Sequence, residues 1–137
     1  MNKLFFICIL IATITGCIKS AEIKIETDLV TQAITTGQWK VTYYLDDTTD
    51  KTSSFSVYLF QFKTNSTVDA INNGTVEATG SWNANATAKT ITSNFTNGSS
   101  TLQLLNGTWL ITNSTWTSVE ATLTINGITR KLRLDKA

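Results

Sequence analysis

From Trp39 onward, apolar and polar residues alternate along much of the chain. The first such stretch has its apolar positions at Trp39, Val41, Tyr43 and Leu45. Residues 119–125 repeat the pattern most regularly. Because successive side chains of a strand point to opposite faces of the sheet, this period of two predicts strands with one buried face.

Short turn signals separate these stretches. Asn-Gly, a dipeptide that favours tight hairpins, is expected to form one at residues 73–74, 106–107 and 126–127, and a further Asn-Gly at residues 97–98 ends another stretch. Counting the stretches between turns gives about eight strands, each followed by its neighbour in sequence. The pattern therefore predicts an all-β fold, a single antiparallel up-and-down β-barrel.

Residues 22–36 follow a different pattern. Their apolar positions, Ile25, Leu29, Val30, Ala33 and Ile34, are close to helical spacing, and the segment contains neither Gly nor Pro. We expect a short amphipathic helix that ends at Gly37, although Ile23 and Ile25 are equally compatible with the start of a strand.

The first sixteen residues have the organisation of an export signal. Lys3 precedes the apolar run 4–12, which is shorter than the roughly 20 residues of a membrane-spanning helix. Ile14-Thr15-Gly16-Cys17 resembles the lipobox of bacterial lipoproteins, and the resemblance implies cleavage before Cys17 and acylation of that residue. An ordinary secretory signal with a chance cysteine is the alternative.

This interpretation divides the chain into a lipoprotein signal peptide (1–16), a lipidated tether (17–22) and a barrel domain (23–137). Two or three acyl chains on one residue give durable membrane anchoring. Ile18, which is not Asp, resembles the pattern of delivery to the outer membrane. The sequence leaves open whether the barrel faces the periplasm or the exterior.

Composition excludes several functions. Removing Lys3 from the eleven basic residues leaves ten, against ten acidic residues, so no basic surplus favours nucleic acid. The chain has no histidine, and Cys8 and Cys17 are its only cysteines. Because most catalytic relays and transition-metal sites use these two residue types, we expect a non-enzymatic protein without cofactor or bound metal.

Three residues carry a resemblance to the lipocalins. In that family a Gly-x-Trp opens the first strand after a short helix, and a late Arg packs across the indole. Gly37, Trp39 and Arg130 stand at the matching positions. The resemblance implies a lipocalin-like barrel over residues 23–134, closed at one end by Trp39 stacked with Arg130. The chain is shorter than typical lipocalins and lacks their disulfide and C-terminal helix.

The side chains predicted to point inward suggest where a ligand could bind. The candidate lining residues are Tyr43, Phe60, Phe62, Ala78, Gly80, Trp82, Trp109 and Ala121; the full inward set adds Trp39, Val76, Phe95, Leu104, Ile111 and Leu123. An eight-stranded barrel is wide enough either to be filled by side chains or to hold one small ligand. Small residues at 78, 80 and 121 fit both outcomes.

We therefore predict a lipid-anchored envelope protein that binds a small apolar or amphipathic molecule in the mouth of the barrel. A surface interaction or carbohydrate-binding module is the alternative, with Trp116 and the Thr-rich loops as its contact surface. Asp46, Asp47 and Asp50 lack the ligand order of an EF-hand and fit a solvated acidic loop better than a calcium site. The sequence predicts no oligomeric state.

Overall fold

The strands of the protein form one closed antiparallel barrel. A computed structural model describes residues 29–137. Its strands are β1 (Trp39–Asp46), β2 (Thr49–Asp50), β3 (Tyr58–Phe62), β4 (Thr67–Asn72), β5 (Thr75–Asn85), β6 (Thr90–Asn94), β7 (Gly107–Ser114), β8 (Ser118–Ile125) and β9 (Ile128–Lys136). Two short helical segments are a 3-10 turn, Thr52–Phe55, and a single α-turn, Ser100–Gln103.

Neighbours in the sheet follow sequence order, and β1 pairs with β9 to close the barrel. On its other side β1 neighbours β3, and this contact is short because the two strands pair only at Trp39 and Phe60. β2 forms a small hairpin with the end of β1 and stands outside the ring. The predicted all-β, up-and-down barrel of about eight strands is thus confirmed, with one extra strand.

The turns agree with the sequence in two of three places. Asn73-Gly74 and Asn126-Gly127 form hairpins, and all four residues have the positive φ that type I′ turns require. The third prediction was wrong. Asn106-Gly107 follows the helical turn Ser100–Gln103, so the segment before it is not a strand.

Residues 29–35 form a helix, which we label α1, and it covers one end of the barrel. Ile34 is its one fully buried side chain, at 1% exposure. Gly37 follows the helix with φ +76, as expected of a residue that ends a helix in the left-handed conformation. The predicted helix is therefore confirmed over residues 29–35, and the rest of segment 22–36 before Leu29 lies outside the described residues.

A β-bulge in β1 reverses the predicted side-chain orientation beyond Val41. The register with β9 shifts between Val41 and Tyr43, so one extra residue is inserted. Tyr44 is consequently buried (0% exposed), whereas Tyr43 faces outward (39% exposed). The assignment of Tyr43 to the interior was wrong for this reason.

A second register shift, at Ala70 and Ile71 on β4, affects the facing strand β5. Val76 pairs with Ile71 and is half exposed, so its predicted inward orientation was also wrong. Further along β5 the alternation holds, and Trp82 is buried as expected.

Candidate functional site

The interior of the barrel is filled by its own side chains. Among the described residues, an interior cavity of about 40 Å³ is lined by Ser93 and by apolar residues of the core. That volume accommodates about one small solvent molecule and is far below the roughly 300 Å³ of a small-molecule pocket. Of the two outcomes that the sequence left open, a barrel filled by its own side chains therefore fits the described structure better than a lumen that holds a ligand.

The predicted lining residues fall into three groups. Phe60, Phe62, Trp109 and Ala121 line the small cavity. Ala78, Gly80 and Trp82 do not line it, and Tyr43 points outward.

Gly80 shows why the interior has no room. A Cβ atom at Gly80 would lie 2.6 Å from the Asn94 carbonyl oxygen and 2.9 Å from the Phe95 ring. The space beside this glycine is thus already occupied by its neighbour strand and by a buried aromatic ring. Gly80 permits the close approach of β5 and β6, and it does not create a pocket.

Trp39 closes one end of the barrel, but Arg130 is not its partner. The indole is fully buried, and its Nε1 donates a 2.8 Å hydrogen bond to the carbonyl oxygen of Ile34 in α1. Trp39 pairs with Lys136, whose Nζ lies 5.5 Å from the ring centroid. Because β1 and β9 are antiparallel, Arg130 lies at the opposite end, beside Asp46. The predicted stacking of Arg130 on Trp39 was wrong.

Arg130 instead belongs to an ion-pair cluster. Its Nε lies 2.8 Å from Asp46 Oδ1, and Lys51 Nζ lies 2.9 Å from Asp46 Oδ2. The hydrogen bond from Lys51, followed by that from Arg130, lowers the pKa of Asp46. Asp46, which the sequence analysis assigned to a solvated acidic loop, is thus paired with two cations. These ion pairs connect the end of β1 to the start of β9 and to the residue that follows β2.

An open groove lies between α1 and the adjacent end of the barrel. It consists of two hollows of about 490 Å³ and 250 Å³, which share Leu29, Val30, Ile111 and Ser114 as lining residues. We call their union the α1 groove. It is larger than the interior cavity by an order of magnitude, and Ile34 and Ile91 line both the smaller hollow and that cavity.

The α1 groove is apolar at its inner part and polar at its outer part. The smaller hollow is lined mainly by apolar side chains, including Ala33, Trp39, Val119 and the half-exposed Trp116. The larger hollow adds polar residues from the tips of two hairpins: Asn85, Lys89, Thr90, Thr112 and Asn113. Such an arrangement suits an amphipathic molecule with its apolar part under the helix.

Sequence reasoning did not assign this groove, although one signal for it was present. The helix pattern contains Leu29, Val30, Ala33 and Ile34, and the barrel buries only Ile34 completely. A helix with more apolar surface than its barrel can cover leaves an apolar groove at its side. Trp116, which the sequence analysis proposed as a contact surface, is exposed in the structure, with 55% of its surface accessible.

The lipidation site is not described. Cys17, the signal segment 1–16 and the tether 17–22 all lie outside residues 29–137. Within the described residues, no helix is long and apolar enough to cross a membrane.

Comparison with known proteins supports the fold alone. No family profile matches the chain, and no curated protein matches its sequence. Its structure is similar to that of a DUF4847 family protein from Bacteroides vulgatus (TM-score 0.56, 13% identity, 79% of this chain and 97% of that one). It is also similar to a lipocalin-like protein from Bacteroides uniformis (TM-score 0.53, 14% identity, 75% and 98%). By its fold, the protein is a lipocalin-like β-barrel.

Proposed function

We propose that this protein is a lipid-anchored binding protein of the bacterial envelope that holds a small amphipathic molecule in the α1 groove. A lipocalin-like barrel is a fold suited to ligand binding, and the observation that supports this site is the contrast in available space. The lumen offers about 40 Å³, whereas the two hollows under α1 offer about 250 and 490 Å³.

The lining of the groove favours binding over catalysis. Its inner hollow combines apolar side chains with the exposed indole of Trp116, which supplies a large rigid contact surface. The chain contains no histidine for proton transfer. We therefore include in the proposal that the protein is not an enzyme and needs no cofactor.

Filling the groove tests the binding site. Ala33 lines the smaller hollow, so Ala33→Phe should occupy it. The probe is N-phenyl-1-naphthylamine, a neutral apolar fluorophore, followed by its own emission and by quenching of tryptophan. We expect Ala33→Phe to weaken probe binding about tenfold or more, because the bulky ring takes the place of the ligand.

Ala88→Phe is the matched control, since Ala88 is exposed in the β5–β6 turn and does not line the groove. It should bind the probe like the wild type. Thermal unfolding of both variants shows that the barrel is intact. Equal binding by Ala33→Phe and wild type would contradict the proposed site.

The anchoring part of the proposal is tested at Cys17. Intact mass of the purified protein should show cleavage before Cys17 and added acyl chains, and the protein should enter the detergent phase on partitioning. Cys17→Ser should lack the acyl mass and remain unprocessed or soluble. A wild-type protein cleaved elsewhere and free of acyl groups would refute lipidation without affecting the groove.

A further inference from the structure

The outer wall of the barrel has a further hollow, and Tyr43 is one of its lining residues. The β-bulge in β1 turns this ring outward and leaves it 39% exposed. A similar register shift between Ile111 and Asn113 in β7 lies on the other side of the same hollow. Bulges re-aim side chains and are common beside functional sites.

Four strands contribute one row of polar side chains beside Tyr43. Tyr43 pairs with Arg133, Arg133 with Glu120, and Glu120 with Asn113. The hollow lined by Tyr43, Arg133 and Glu120 has a volume of about 470 Å³, and Thr112, Thr122 and Lys131 complete its polar lining.

The charged groups of this row are held in place by one another. Arg133 donates two hydrogen bonds to Asp135, at 2.9 and 3.1 Å, and one to Glu120 Oε1 at 2.9 Å. Thr42 donates a further hydrogen bond to Asp135. Three of the five guanidinium N–H groups are used in these bonds, so Arg133 retains donors for a ligand although it is fixed in position.

We propose that this hollow, which we call the Tyr43 site, binds a saccharide. A sugar ring has an apolar C–H face, which can pack on the Tyr43 ring, and a rim of hydroxyls that can both donate and accept hydrogen bonds. Glu120 supplies acceptors, Arg133 and Lys131 supply donors, and charge-assisted hydrogen bonds of this kind are the stronger ones. Because the network is already ordered, binding costs little side-chain entropy.

The charges favour a saccharide over macromolecular partners. The cores of protein–protein interfaces are depleted in charged residues, whereas three of the eight residues that line this site are charged: Glu120, Lys131 and Arg133. Nucleic acid needs a basic surface, and here Glu120 and Asp135 accompany the two cations.

Affinity electrophoresis in gels containing dextran, mannan, xylan or hyaluronan tests the Tyr43 site. We expect at least one polymer to retard the wild type. Tyr43→Ala should weaken that retardation about tenfold, because the stacking surface is lost, whereas Tyr43→Phe should stay within about twofold. Glu120→Gln, which keeps the shape and removes the charge, should weaken it to an intermediate degree.

Trp116→Ala is the control, since Trp116 is the other strongly exposed aromatic residue of the described chain and lies at the α1 groove. It should be retarded like the wild type. Retardation by none of the four polymers would overturn the proposal, as would loss in Trp116→Ala alone. Binding to hyaluronan only, abolished by salt and unaffected by Tyr43→Ala, would indicate simple charge attraction and would also overturn it. None of these outcomes bears on probe binding in the α1 groove.

Discussion

At the scale of single residues, the two tryptophans near α1 have opposite environments. Trp39 is fully buried and bonded to the Ile34 carbonyl oxygen, whereas Trp116 is 55% exposed at the β7–β8 turn. Burial determines the cost of removing a side chain much more than its size does. Trp39 therefore serves stability, and Trp116 is available for contact with a ligand.

Replacing each tryptophan by alanine should separate these roles. We expect Trp39→Ala to lower the free energy of unfolding by about 3–5 kcal/mol, because it leaves a large cavity and removes the hydrogen bond to α1. Trp116→Ala should change it by less than about 0.5 kcal/mol. Urea denaturation followed by circular dichroism measures both, and similar values for the two variants would contradict the structure.

At the scale of elements, sequence periodicity predicted strands well and their local register less well. Alternation identified Trp82, Trp109 and Ala121 as buried. It failed at Tyr43 and Val76, because a bulge inserts a residue without a distinctive sequence signal and reverses the orientation of the side chains near it.

The closing partner of Trp39 was missed for a related reason. The lipocalin-like motif picked out Trp39 and Arg130 as partners, but whether two residues are in contact depends on the register between their strands. In this barrel the antiparallel register of β1 with β9 places Arg130 opposite Asp46 and brings Lys136 to Trp39. The α1 groove was missed because its volume depends on how the helix seats on the barrel, which the apolar pattern of residues 29–35 does not determine.

The close approach of β5 and β6 gives a prediction for Gly80. Gly80→Ala should destabilise the protein by about 1–3 kcal/mol, because the added methyl group meets the rigid Asn94 carbonyl oxygen at 2.6 Å. Ser81→Ala, at the next and exposed position of β5, should be nearly neutral. Thermal denaturation compares the two. A neutral Gly80→Ala would mean that the interior has more room than the structure shows.

The seating of α1 on the barrel gives a second prediction at this scale. Ile34 lines both the interior cavity and the α1 groove, so its side chain separates them. Ile34→Ala should cost about 2–5 kcal/mol and join the two spaces. Because enlarged apolar cavities bind apolar molecules such as benzene, benzene should raise the unfolding temperature of this variant more than that of the wild type, in which only the α1 groove is open to it. Equal stabilisation of the two proteins by benzene would contradict this separation.

At the scale of the whole molecule, the barrel is held by a filled apolar core and by ion pairs across its strands. Lys63 pairs with Asp69 and Arg133 with Glu120 between neighbouring strands, Arg133 also pairs with Asp135 within β9, and the Arg130 cluster lies at the far end. Hydrogen bonds from these cations are the main cause that lowers the pKa values of Asp46, Asp69 and Asp135. No histidine is present, so no imidazole titrates near neutral pH.

These pKa shifts define a pH window for stability. A carboxylate whose folded pKa is below its unfolded value of about 3.9 stabilises the fold above that value, and this contribution is lost as the pH falls through the folded pKa. Burial raises the pKa of Tyr44 to about 12, so its contribution is present below about pH 10 and is lost as the pH rises towards 12. The unfolding temperature should therefore be nearly constant between about pH 5 and 8, and fall below pH 4 and above pH 10.

Asp69→Asn should reduce the loss of stability at acid pH, and Tyr44→Phe should reduce the loss at alkaline pH. Neither variant should affect the loss on the other side. A transition near pH 6.5 in calorimetric scans would contradict this assignment, because the described groups with shifted pKa values do not titrate there.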